Sequence, residues 1–292
     1  MSEQISNITQ LFDMPGAGSG NIKGRYHDKE GKSADESREY GEVSLGEGDY
    51  EAAIRHFKKA IEQGSPESGF DLAAAYESAD MLPQAFYQYE RARKVVESGE
   101  LFIGLSTLYR RYGRMRDAVG EMEQSIKANP KDPYLHFKLA ETLRNAGFPK
   151  AALPAIQGAI ALAPDDEFYH YWAGDLMLDI KDFEGAKTAV HAAAELNPGD
   201  DHFYTLAALA FWGLEKHSEA IRATRLALDL DPNNLSNVVI LHQFLTLSGQ
   251  NDAAKQEDKR LAKAERYDWD LAQRQLKRVG ITLEIPSHIE QS

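Results

Sequence analysis

Residues 105–130, LSTLYRRYGRMRDAVGEMEQSIKANP, contain the pattern that decides the fold of this chain. Apolar residues recur at helical spacing on both sides of Gly113. A glycine in that place ends a helix by adopting the left-handed conformation. Pro130 closes the stretch, because proline cannot continue a helix. The stretch therefore predicts two helices joined by a tight turn.

The same pattern returns along the chain at a fixed step. Four prolines, Pro130, Pro164, Pro198 and Pro232, are each 34 residues apart. Small residues recur in two columns between them. The first column is Ala53, Ala85, Ala118, Ala152, Ala186, Ala220 and Ala254, and the second is Ala60, Ala92, Ser125, Ala159, Ala193 and Ala227. Small side chains let helices approach closely, so the columns predict helix crossings in a stacked repeat array.

Residues at fixed places in this unit carry a resemblance to a known family. They are Leu105-Ser106, Tyr109, Gly113, Ala118, Met122, Ser125 and Pro130, and later Ala173-Gly174, Phe183, Ala186, Ala193 and Pro198. They resemble the tetratricopeptide repeat family. Seven units are counted from these landmarks, starting near Ala34, Pro66, Gly99, Pro133, Glu167, Asp201 and Leu235. The resemblance implies an all-α, right-handed superhelical solenoid of about seven helical hairpins, with a concave face lined by the first helix of each unit.

The sequence divides into four segments. Residues 1–33 form a glycine-containing leader predicted to be flexible, and residues 34–266 form the repeat array. Residues 267–280 are predicted to form a capping helix, and residues 281–292 a tail. Trp269, Ala272, Leu276 and Val279 recur at helical spacing in the capping helix. A terminal element with a polar outer face is needed by a solenoid, so Trp269 is expected to cover the stacking surface of the last unit.

The leader contains an apolar cluster formed by Leu11, Phe12 and Met14. Two interpretations stay open. The cluster docks in the groove of its own or a neighbouring molecule, or it belongs to a plainly disordered segment.

Composition excludes several classes of function. With 46 acidic and 33 basic side chains the formal charge is −13, which disfavours broad binding to nucleic acid phosphates or to an anionic membrane. The chain has no cysteine, so disulfides, thiolate metal sites and cysteine nucleophiles are excluded. The polar N-terminus is not a signal peptide, and no apolar run would span a bilayer. A cytoplasmic protein is expected.

Candidate partner-binding residues follow once the packing columns are set aside. They lie in rows on the first helices and are Phe70, Ile103, Arg110, Arg111, Phe137, Glu141, Arg144, Tyr171, Asp175 and Trp212. Protein interfaces use aromatic rings as anchors and arginine to bind carboxylates. The alternative is that Phe137 and Tyr171 pack against neighbouring helices and Arg144 pairs with Glu141 or Asp175.

The sequence predicts no cofactor, metal or catalytic residue. His136 and His170 are one period apart, but two ligands are too few for a metal site, so packing histidines are favoured. The leading hypothesis is a non-catalytic adaptor that binds a peptide or helical segment of another protein in the concave groove. The alternative is a self-associating assembly platform, so a homo-oligomer is possible. A small-ligand sensor or enzyme using Glu141 or Asp175 ranks last.

Overall fold

The computed structural model describes residues 31–95 and 98–283, which form fifteen α-helices and no strand. The helices are α1 (Ala34–Gly46), α2 (Tyr50–Glu62), α3 (Ser68–Ser78), α4 (Leu82–Ala92), α5 (Gly99–Arg111), α6 (Met115–Ala128), α7 (Pro133–Asn145), α8 (Pro149–Leu162), α9 (Glu167–Asp179), α10 (Phe183–Leu196), α11 (Asp201–Gly213), α12 (His217–Leu230), α13 (Leu235–Leu247), α14 (Asn251–Leu261) and α15 (Arg266–Arg278). The predicted all-α fold is confirmed.

The first fourteen helices pair into seven hairpins, and each hairpin turns on a residue with positive φ. Gly48, Gly113 and Gly147 hold this conformation with φ of 76°, 71° and 84°, and Lys181 does so with φ of 62°. Six of the seven hairpins begin at the residue expected from the repeat. The second hairpin begins at Ser68, two residues after the expected Pro66, because Pro66 lies in the preceding turn.

Aspartate caps fix where three of the first helices begin. The side chains of Asp132, Asp166 and Asp200 accept a hydrogen bond from the backbone N–H two residues later. Such a cap satisfies an N–H that has no partner inside the helix. These N–H groups belong to Tyr134 and Phe168 in the first two cases, so the caps place both rings in the first turn of α7 and α9.

Both columns of small residues lie at helix contacts. All thirteen members are buried, and none is more than 4% exposed. Gly174 shows how close the approach is, since a Cβ there would lie 2.4 Å from a methyl of Val190 on the paired helix. The repeat read from the sequence therefore marks the lines along which the helices pack.

The chain divides into two compact units, Met1–Pro130 and Lys131–Ser292. We call them the N-terminal unit, which contains α1–α6, and the C-terminal unit, which contains α7–α15. Fully buried Phe57, Leu101 and Leu105 are central to the core of the N-terminal unit. In the C-terminal unit one apolar cluster surrounds Phe137 and Ile156, and a larger one extends from Leu178 to Leu283.

The last helix, α15, takes a position that the sequence did not predict. Elsewhere in the C-terminal unit, the first helix of a hairpin packs on the second helix of the hairpin before it. The principal contact of α15 is instead α13, and α15 also touches α11. Trp269 is buried as expected, yet the helix that carries it lies on the first helices rather than on α14.

Two further expectations concern membrane spans and the ends of the chain. Across residues 31–95 and 98–283, every helix is too short or too polar to cross a bilayer. The leader cluster Leu11, Phe12 and Met14 lies outside the described residues, as does the tail beyond Leu283.

Candidate partner-binding surface

In the N-terminal unit, the candidate residues are partly engaged in packing. The Phe70 ring is partly buried and lies 5.8 Å from the ring of Tyr89. Ile103 and Arg110 are partly buried on α5. Arg111 forms an ion pair with Asp80. These residues belong to first helices, as expected, but they do not form a large exposed ring surface.

In the C-terminal unit, four rings form a cluster on α7 and α9. We call Tyr134, Phe137, Phe168 and Trp172 the aromatic patch. The Phe137 centroid lies 4.9 Å from that of Phe168 and 5.1 Å from that of Trp172, both edge to face. Its centroid is 5.9 Å from that of Tyr134. Edge-to-face pairs of this kind are favourable, so Phe137 holds the other three rings in place.

The rings of the aromatic patch differ in exposure. Phe137 is only 7% exposed, so it supports the patch and does not itself present a surface. Tyr134 and Phe168 are 45% and 44% exposed. The sequence predicted Phe137 as an anchor, whereas the structure buries Phe137 and exposes Tyr134 and Phe168 instead.

Two cations border the aromatic patch. The Lys138 ammonium lies 5.9 Å from the Tyr134 centroid and 5.8 Å from the Phe137 centroid, and it also pairs with Glu141. The Arg144 guanidinium lies 5.1 Å from the Trp172 centroid. A cation at this distance from a ring face is attracted by the ring. The patch is thus apolar at its centre and charged at its edge.

Arg144 also belongs to a group of four charged residues, which we call the Arg–Asp cluster. Its other members are Asp175, Asp179 and Arg278. Arg144 Nη1 lies 2.6 Å from Asp175 Oδ2, and Arg144 Nη2 lies 2.7 Å from Asp179 Oδ2. Arg278 Nη1 lies 2.6 Å from Asp175 Oδ1, and Arg278 Nη2 lies 3.0 Å from Asp179 Oδ1. Each aspartate therefore bridges two arginines.

Burial and the charges of the cluster together shift the pKa of Arg144, a member of the cluster, and of Tyr171, which lies beside it. Burial disfavours the charge on Arg144, but Asp175 and Asp179 outweigh that effect and raise its pKa. Burial first, and then the Asp175 carboxylate, raise the pKa of Tyr171 to about 12. The Tyr171 ring lies 5.6 Å from that of Phe203, so Tyr171 is a packing residue beside the cluster.

Alkaline pH should destabilise the C-terminal unit, and Tyr171→Phe should reduce that effect. The pKa of Tyr171 is raised from its ordinary value of 10.0 to about 12 in the folded chain. Between these values the unfolded chain loses the phenol proton and the folded chain keeps it, so stability is complete below pH 10 and falls as the pH rises towards 12. The variant should lose about 1 to 2 kcal/mol less than the wild type over this range.

Urea unfolding followed by circular dichroism at both ends of this pH range measures the difference. Tyr267→Phe is the control, because the Tyr267 ring is 69% exposed. The explanation fails if the two variants shift the pH dependence equally.

The Trp212 ring packs against other rings of the chain and does not form an exposed anchor. Its ring stacks on Phe244 with centroids 4.1 Å apart and an angle of 5°, and His217 stacks at 4.3 Å. Phe244 is fully buried, so Trp212 joins α11 to α13 through the core.

Of the predicted residues, the structure brings together Phe137, Arg144 and Asp175. Glu141 lies at the border of the aromatic patch through its pair with Lys138, and Tyr171 lies beside the Arg–Asp cluster.

Sequence reasoning missed Tyr134, Phe168, Trp172, Asp179 and Arg278. A signal existed for two of them, because Tyr134 and Phe168 are one period of 34 residues apart, each two positions after a capping aspartate. No sequence signal places Arg278 beside Asp175, since 103 residues separate them.

His136 packs against Gly158 of the paired helix α8, where an added Cβ would lie 2.6 Å from its Nδ1. The His170 ring lies 2.8 Å from the Pro164 carbonyl oxygen through Nε2, so its N–H donates to that oxygen. In the part of the chain that the structure describes, one group, Asp200, Asp201 and His202, places a possible ligand atom of each residue within 4.8 Å of the others. Asn234 and Asn237 donate to Asp201, and Asp200 caps α11, so structural roles account for this group.

The family model of the tetratricopeptide repeat matches residues 103–167 and 171–234. Over these residues the chain carries tetratricopeptide repeats. The predicted resemblance is confirmed there, and this repeat fold is typical of scaffolds for interactions between proteins. None of the curated proteins compared matches the chain in sequence.

Several solved structures are similar in fold. The C-terminal part of a TPR repeat-containing protein from Cytophaga hutchinsonii has a TM-score of 0.66 at 15% identity, covering 80% of this chain and 98% of that one. A MamA fragment from Desulfovibrio magneticus RS-1 has a TM-score of 0.53 at 22% identity, covering 57% and 95%. YrrB, described as a TPR protein with an unusual peptide-binding site, has a TM-score of 0.51 at 22% identity, covering 60% and 92%. At these identities the likeness shows the fold alone.

Proposed function

We propose that the protein is a non-catalytic scaffold or adaptor that binds a peptide or helical segment of another protein on the first helices of its hairpins. The aromatic patch carries this proposal. Tyr134 and Phe168 are nearly half exposed, yet both pack against the buried Phe137 ring, which Trp172 also contacts. Rigid rings supply contact area at a low entropic cost, which is why they recur as anchors in interfaces.

The border of the patch supports a peptide with both apolar and polar contacts. Lys138 and Glu141 form one charged pair at this border, and Arg144 lies over Trp172 on another side. An apolar centre with a charged rim is the usual arrangement of a protein interface. We expect apolar partner side chains to contact Tyr134 and Phe168, while polar groups of the partner meet the rim.

Other features agree with an adaptor. YrrB, whose fold is similar, is described as having a peptide-binding site. The net charge of −13 disfavours nucleic acid as a partner. Cytoplasmic location and lack of catalysis stay predictions of the same proposal. Self-association through Trp269, the structural alternative, would need α15 to leave its place, because Trp269 is 7% exposed in its own chain.

Affinity capture with matched variants tests the proposal. Tyr134→Ala combined with Phe168→Ala should weaken partner binding by about tenfold or more, since an anchor residue contributes more than about 1 kcal/mol. The control combines Phe148→Ala with Leu226→Ala, which also removes two exposed large side chains. Phe148 lies beyond the other end of α7 and Leu226 lies on α12. Partners that bind wild type and both variants equally would place the binding surface elsewhere.

A further inference from the structure

Helix α15 runs across the first helices of the C-terminal unit. It packs on α13, touches α11, and reaches α9 through Arg278. A helix of 13 residues is about 20 Å long, at about 1.5 Å per residue. The helix therefore crosses the face built by the first helices of the last three hairpins.

The helix is seated by one apolar side. Trp269, Ala272 and Leu276 are buried, and their spacing of three and four residues places them on one side of α15. Ile281 and Leu283, which follow the helix, are buried in the same apolar cluster. Arg274 and Lys277 are exposed on the other side. This is the way an amphipathic helix binds in a groove.

The polar end of α15 is bound by the Arg–Asp cluster. The Arg278 and Asp175 side chains are each 14% exposed. Arg278 also donates to the backbone carbonyl of Asp175. Without Arg278, Arg144 would be the remaining cluster arginine for two partly buried carboxylates. Leaving such charges incompletely paired is unfavourable. A helix that binds this face therefore needs a cationic side chain next to Asp175 and Asp179.

We propose that the face formed by α9, α11 and α13 is a binding surface for an amphipathic helix of a partner protein, and that α15 is the internal occupant which the partner helix replaces. The partner helix carries an aromatic, a small and an aliphatic residue at the spacing of Trp269, Ala272 and Leu276. It also carries an arginine that reaches Asp175 and Asp179. This proposal rests on the proposed function and names a class of partner and its regulation.

The tether of α15 explains how the surface is regulated. Residues 262–265 join α14 to α15, and so short a link keeps the local concentration of α15 on the order of millimolar or above. A free helix of equal affinity competes poorly against that concentration. The face is therefore closed while α15 holds all its contacts, and it opens when those contacts are weakened.

A peptide of the chain's own residues 264–283, carrying a fluorescent label, tests this in the full-length protein. Its binding to wild type and to Arg278→Gln is measured by fluorescence anisotropy. The variant should bind the peptide at least about tenfold more tightly, because its own α15 no longer pairs with Asp175 and Asp179 whereas the peptide does. A peptide with glutamine in place of that arginine should bind each protein more weakly than the arginine peptide does, and should still prefer Arg278→Gln to wild type, because the α15 of the variant competes less.

Arg274→Gln is the matched control, because it removes the same charge from the exposed side of α15 and should bind the peptide as wild type does. Arg278→Lys keeps the charge but loses the forked contact, so it should give an intermediate affinity. Hydrogen exchange of α11 and α13 in Arg278→Gln checks that the face stays folded. Equal binding of the peptide to wild type and to both Arg278 variants, or to none of them, would overturn the proposal.

This experiment is independent of the capture experiment on the aromatic patch. It uses no outside partner, and neither Tyr134 nor Phe168 is changed. If the peptide experiment fails and the capture experiment succeeds, the protein is an adaptor whose α15 is a permanent cap. The reverse result would leave a helix-binding face whose partners do not use the aromatic patch.

Discussion

Replacement of Phe244 by alanine should lower the free energy of unfolding of the C-terminal unit by about 4 kcal/mol. The Phe244 side chain is fully buried, and its ring stacks on Trp212 with centroids 4.1 Å apart. The variant loses apolar burial and the ring pair, and it leaves a cavity between α11 and α13. Urea unfolding followed by tryptophan fluorescence measures the effect, because all three tryptophans, Trp172, Trp212 and Trp269, lie in this unit.

Phe244→Leu is the control for the cavity. Leucine keeps most of the buried volume, so its cost should stay below about 1.5 kcal/mol. A similar loss for both variants would show that the ring stack, and not the filled volume, stabilises the contact between α11 and α13. A loss below about 1 kcal/mol for alanine would mean that the surrounding helices close the cavity.

Replacement of Trp269 by alanine should lower the free energy of unfolding by about 2 to 3 kcal/mol, less than a buried tryptophan usually contributes. The Trp269 side chain packs α15 onto the first helices. Its indole N–H is buried and has no hydrogen-bond partner among the described residues. That buried donor is unfavourable, so its removal offsets part of the loss of apolar burial.

Trp269→Phe separates the two effects. Phenylalanine keeps an aromatic ring and removes the unpaired N–H, so this variant should stay within about 1 kcal/mol of the wild type. Hydrogen exchange of α15 and of α13 then shows where stability is lost in the alanine variant. We expect faster exchange in α15 first, because α15 is tethered by four residues and packs on one side. Equal losses for phenylalanine and alanine would contradict the role given to the N–H.

Both proposed surfaces lie in the C-terminal unit. The aromatic patch lies on α7 and α9, and the helix-binding face lies on α9, α11 and α13. Arg144 connects them, because it lies over Trp172 and also pairs with Asp175 and Asp179. We therefore expect substitutions at Arg144 to affect both surfaces, which makes Arg144 a poor choice for separating them.

The sequence alone determined the helices and their order. Seven hairpins are predicted from the period of 34 residues, the glycine turns and the closing prolines. Each predicted start lies within two residues of the start in the structure. The small-residue columns identify the buried crossing points, since all their members are buried in the structure. This information is local or periodic: a helix start depends on a cap such as Asp166, and a crossing depends on small side chains repeated at one step.

Only the tertiary structure decided which side chains form a surface. Tyr134 and Phe137 lie on one helix three residues apart, yet one is exposed and the other buried, because Phe168 and Trp172 of α9 cover Phe137. The place of α15 was also undetermined, since an amphipathic helix fits any apolar face of suitable width. Its place on the first helices, with Arg278 beside Asp175 across 103 residues, follows from a contact that no period in the sequence encodes.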